Sequence, residues 1–155
     1  QLPGVTPELA QLYGLFCHVG IPVLLQRMPG YSGTMVEAGA RRDRSYVETE
    51  NANHRTDHAV VGALVARTWQ VAPPVMAAIR LHHDLTHLKI ADADPDVQTL
   101  LAMGVLAEEF SSRRMGTTLD TDYVQHRGLA LGWLQASEDD VAEWEEGVQP
   151  VFDAL

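Results

Sequence analysis

The stretch Thr56–Trp69, TDHAVVGALVARTW, decides the fold. Thr56 and Asp57 offer side-chain oxygens for a helix start. His58, Val61, Gly62, Val65 and Trp69 then follow at helical spacing on one face. Gly62 in mid-helix costs about 1 kcal/mol against alanine, so a close helix crossing is the expected reason for it. Beyond this stretch VAPP breaks the chain, and a helix is expected over Pro74–His83 with Val75, Ile79 and His82 or His83 in line. Asp94 and Pro95 open a long helix over Asp96–Ser112, with Leu100, Leu101, Val105, Leu106 and Phe110 inward. The linker GTTLD leads to a helix around Tyr123–Trp133, and Ser137 caps a last one. Toward the N-terminus, Thr6, Pro7 and Glu8 start a helix that Leu9, Leu12, Tyr13 and Phe16 carry to about Val19. A second is expected over Pro22–Met28, a turn at PGYSG, and one polar helix over Met35–Asn53 with a thin apolar stripe. Strand-like alternation persists nowhere. The pattern predicts an all-α, compact multi-helix bundle forming a single domain over residues 1–155.

Charge bounds the partners. The chain carries 21 acids against 11 bases, a formal charge of −10, and Lys89 is its one lysine. No basic stripe is available to neutralise a phosphate backbone, so nucleic acid is excluded as a partner. The single cysteine, Cys17, excludes an internal disulfide and fits a reducing compartment. No apolar run reads as long enough to cross a bilayer, and QLPGVTPELA lacks the basic start and apolar core of a leader. The expected location is cytoplasmic, with no membrane contact.

The chemistry-bearing residues are Cys17 and His18 in GLFCHVGIP, His58, and His82 with His83 in RLHHD. Imidazole is the commonest metal ligand near neutral pH, and a thiolate binds zinc and softer ions well. Neighbours in a helix diverge by about 100°, so one member of each pair is expected inward: one of Cys17 and His18, His58, and one of His82 and His83. Such a set is a weak metal site, without an acidic partner to balance charge. Asp57 and Asp84 are the acids beside it, as caps or as groups orienting an imidazole. Arg80 is the basic residue nearest the motif for contact with a phosphate.

Three runs carry a resemblance: GLFCHVGIPVLLQ, DHAVVGALVARTW and PPVMAAIRLHHD. In that order and spacing they resemble the HDOD (HD-related output domain) family, a bacterial signalling branch of the HD phosphohydrolase superfamily. The resemblance implies an HD-domain-like bundle whose N-terminal helical half precedes the residues present here. It places the superfamily's His-Asp doublet on Cys17-His18, so a metal-ligating aspartate becomes a histidine. The lysine of phosphodiesterase relatives falls on Ile21, and no histidine precedes His18.

The expected function is therefore a non-catalytic output or scaffold domain in signal transduction, without a cofactor, acting through protein contacts or ligand binding. The alternative is a metal-dependent phosphohydrolase or phosphodiesterase in which His18, His58, His82 and His83 hold a transition metal. An upstream half missing from the folded unit would leave an apolar face open, which predicts a partner chain or a homo-oligomer.

Overall fold

The computed structural model describes residues 5–154, and among these there is no strand. Nine α-helices run in chain order: α1 Pro7–Phe16, α2 Gly20–Arg27, α3 Tyr31–Ala40, α4 Tyr46–His54, α5 His58–Thr68, α6 Pro73–Leu81, α7 Pro95–Met115, α8 Thr121–Leu134 and α9 Glu138–Asp153. A 3-10 turn, Leu85–Lys89, joins α6 to α7. The all-α expectation holds.

Capping sets most boundaries. Thr6 accepts the Leu9 N–H, Asp57 the Val60 N–H at 2.8 Å, and Asp94 the Asp96 N–H at 2.9 Å. Ser45 with Glu48, and Ser137 with Asp140, form reciprocal capping boxes. The first of these overturns the single helix expected over Met35–Asn53. The chain breaks at Arg41–Ser45, and Ser45 starts a new helix, α4, that turns back against α3.

The main core gathers Tyr13, Phe16, Val75, Ile79, Leu100, Leu101 and Val105 from α1, α6 and α7. A smaller one, Leu106, Phe110 and Val141, lies under α9. The two are tied by Glu109, whose carboxylate accepts from Arg127 of α8 at 2.7 Å and from Arg113, which also reaches Glu145 of α9.

On α5 the buried residues are His58, Ala59, Gly62 and Ala66; Trp69 is 69% exposed, packed edge-on against Phe16. The apolar stripe is therefore rotated from the one expected, because the close crossing selects small residues. A β-carbon on Gly62 would meet the Ile79 side chain at 3.1 Å, and one on Gly20 would meet the His58 carbonyl oxygen at 2.1 Å. Helices α2 and α5 thus touch backbone to backbone.

Pro7–Arg27 taken together is long and apolar enough to cross a bilayer, contrary to the expectation from composition. In the fold it is two helices with a turn at Cys17–Val19 between them. Tyr13, Phe16, Gly20 and Leu24 are buried inside the bundle.

Candidate functional site

The turn at Cys17–Val19 and the end of α6 bring all five singled-out residues together. Cys17 caps α1, and His82 caps α6 with His83 beyond it. Neither pair continues a helix, so the divergence expected of helical neighbours does not apply, and both His82 and His83 turn inward. Ring centroids lie 5.2 Å apart for His18 and His82, 5.0 Å for His58 and His82, 5.0 Å for His58 and His83, and 4.3 Å for His82 and His83.

Three of the imidazoles form a tripod. His58 Nε2 is 3.1 Å from His82 Nε2 and 3.3 Å from His83 Nε2. Each ring's other nitrogen is occupied. His82 Nδ1–H donates to the Ile79 carbonyl at 2.7 Å, so the proton is on Nδ1 and its Nε2 offers a lone pair. His58 Nδ1–H donates to Glu50 Oε2 at 2.7 Å, and His83 Nδ1–H to Asp122 Oδ2 at 3.1 Å. Glu50, fully buried on α4, also accepts the Tyr31 hydroxyl. Burial, then the neighbouring imidazoles, holds His82 and His83 well below the ordinary histidine range. Both are neutral, with lone pairs converging on one point.

Such a donor set fits a single transition-metal ion. Bonds of about 2.05 Å to imidazole in a tetrahedron put ligand atoms about 3.3 Å apart, and the two Nε2 separations from His58 match. Carbonyl and carboxylate groups behind the rings are the orienting partners that metal-bound imidazoles use. His58, His82 and His83 are the residues that would hold the ion. Cys17 Sγ also lies with His18 and His82 within 4.8 Å. Burial pushes its thiol up to about 12, against a lowering from the Tyr13 hydrogen bond, so it stays protonated and is the weaker donor. His18, lowered to about 4 mainly by burial, faces Glu108 at 3.6 Å.

The expectation that no acid accompanies the imidazoles is overturned. Glu50, Glu108, Asp120 and Asp122 all stand close, brought from α4, α7 and the start of α8. Desolvation raises the last three. Asp57 is buried but faces the α5 N-terminus and Asn51, not a ring. Asp84 is exposed and accepts the Thr86 hydroxyl, and Arg80 is exposed and lines neither hollow beside the rings. These two are therefore not placed at the centre. The sequence offered little signal for the acids: Glu50 sits in a helix polar on every side, and the others lie far along the chain.

A hollow of about 250 Å³ opens beside the tripod. Its lining includes His18, His58 and His83, Tyr46, Met115 and Thr118, and the acids Glu108 and Asp120. Among the described residues no lysine or arginine lines it.

The geometry can be set beside known proteins. The family model for the HDOD domain matches residues 1–85, more than half of the chain. The chain belongs to the HDOD family. No curated protein and no solved structure gave a match. The HDOD match takes in the three tripod imidazoles and Glu50, while Glu108, Asp120 and Asp122 lie beyond it. It makes this a signalling-related, HD-like domain.

Proposed function

We propose that this HDOD domain works as a non-catalytic signalling element whose tri-imidazole centre binds one transition-metal ion and whose helix faces contact a protein partner. One observation carries the reading. Among the described residues the hollow beside the tripod presents Glu108 and Asp120 and no lysine or arginine, so apart from the ion itself no side chain would hold a phosphoester against that negative charge. By the resemblance, the doublet of the phosphohydrolase superfamily and the lysine of its phosphodiesterase relatives fall on Cys17-His18 and Ile21. A bound ion would supply positive charge at the tripod and fix α5 against the end of α6. Glu50 and Asp122 orient the rings, and Glu108 and Asp120 offset the added charge.

The hydrolytic alternative retains two supporting observations: the carboxylates that stand beside the imidazoles, and the hollow that gives small molecules access to the tripod. A single experiment separates the two. Purified chain is loaded with zinc, manganese or iron(II), its metal content is measured, and it is assayed against phosphomonoesters and cyclic dinucleotides. The expected outcome is one ion per chain, lost in His58→Ala, with no turnover above that of the variant. Turnover that His58→Ala abolishes would remove the non-catalytic reading, and failure to take up any metal would remove the metal centre.

A further inference from the structure

A second feature lies along the outer face of α7. A hollow of about 440 Å³ between α7 and α9 is floored by Leu106 and Phe110 and walled by Met103, Leu134, Trp144 and Val148. Another, of about 240 Å³, lies between α7 and α1, over Ala10, Gly14, Gly104, Ala107 and Ser111. The two share Met103 and Ala107 and so adjoin on α7, a furrow in two parts bordered by α1 and α9. Its lining is apolar or small except for Glu108, Tyr13, Tyr123 and the Cys17-His18 turn.

The charge around the furrow has one sign. No lysine or arginine lines either hollow. Glu108 lies inside, Glu143 is exposed one residue before Trp144, and Arg114 near the end of α7 is neutralised by Asp153. An anionic lipid or fatty acid would find no cation to receive its head. An elongated apolar surface with acidic flanks instead complements a helix carrying one apolar stripe between lysines or arginines.

We infer that this furrow is the docking site for a basic amphipathic helix of a partner protein. Small side chains at Gly14 and Ala107 let that helix approach closely, and Met103 with Trp144 grips its apolar residues. The inference deepens the protein-contact half of the proposed function and does not depend on metal. A chain that takes up no ion yet holds such a helix would sink the metal centre and keep the furrow.

The test titrates isotope-labelled full chain with a synthetic helical peptide of leucine, alanine and lysine, and with its glutamate-for-lysine counterpart. Amide shifts should concentrate on α1, α7 and α9 around Gly14, Ala107 and Trp144, with the glutamate peptide silent. Ala107→Arg should weaken binding by about tenfold or more, since it fills the furrow and repels the lysines. Leu64→Arg adds the same charge at a residue 56% exposed on α5 and should leave binding unchanged. Both positions are exposed, so neither variant strains the core. Equal weakening by the two variants, shifts centred elsewhere, or no binding would overturn the inference. So would self-association of the peptide-free chain that Ala107→Arg abolishes, because the occupant would then be a second copy.

Discussion

Gly20 of α2 lies directly against the carbonyl of His58, where an added β-carbon would stand 2.1 Å from the oxygen. No rotamer change relieves a clash with backbone, so α2 must move away from the tripod's first ring. Gly20→Ala should cost about 3 kcal/mol or more, read as a shift in the urea midpoint. Gly62→Ala is the contrast. Its β-carbon meets the Ile79 methyl at 3.1 Å, with the Gly20 nitrogen at 3.5 Å and a Val19 methyl at 3.6 Å in ordinary contact, and the helix gains about 1 kcal/mol of propensity. It should be close to neutral, and equal losses in the two variants would contradict the backbone-contact argument.

Glu50 receives two donors inside the protein, the Tyr31 hydroxyl and His58 Nδ1–H. Tyr31→Phe leaves one carboxylate oxygen without its donor and should cost about 1–2 kcal/mol of stability. Glu50→Gln keeps the shape but removes the charge that makes His58 a strong electron donor. Zinc affinity should fall by about tenfold to a hundredfold, measured by competition with a chelating dye. Unchanged affinity would argue that Glu50 only fills space.

Acid should weaken the fold through its buried imidazoles. His18, His82 and His83 are all depressed by burial. A depressed imidazole contributes stability in full above its unfolded value near 6.5 and loses it as pH falls, by up to about 1.4 kcal/mol per pH unit. His18, with its side chain 38% exposed, contributes least. Glu108, Asp120 and Asp122 have the opposite sign. Their raised values make the folded chain the better proton acceptor, so their contribution grows as pH falls through those raised values and offsets part of the imidazoles' loss. In chelator-treated protein the melting temperature should drop between pH 7 and 5 and then flatten. A rise across that interval would contradict it.

Arg127 donates to Glu109, whose side chain is only 8% exposed, and to Glu138. Arg127→Ala strips the buried carboxylate of a partner while Arg113 retains its own bond, so the cost should be about 2–3 kcal/mol. Arg41→Ala, which removes exposed pairs with Glu37 and Asp43, should cost about 0.5 kcal/mol or less. Chemical denaturation of both variants checks the ranking.

The helices were readable because their caps and apolar periods agree, from Thr6 to Ser137. The break between α3 and α4 was readable in principle: Ser45 followed by Glu48 is a capping signature, but no glycine or proline marks Arg41–Ser45. The site was half readable. Its imidazoles stand out as residue types, yet their directions do not. The helical divergence rule holds only inside a helix, and Cys17, His82 and His83 all fall at or past an end. Glu50 was hidden for another reason. A carboxylate in the polar run VETENANH reads as solvated until tertiary packing places Tyr31 and His58 on it.

The stretch matched by the family ends at residue 85, yet Asp122, which holds His83 in place, belongs to α8. A truncation drawn at that boundary would cut through the centre, leaving His83 without its orienting carboxylate and the rings without the wall that Glu108 and Tyr123 provide. Swapping domains between relatives at this junction would therefore exchange half of a chemical environment, so a chimera has to carry α7 and α8 along with the histidines.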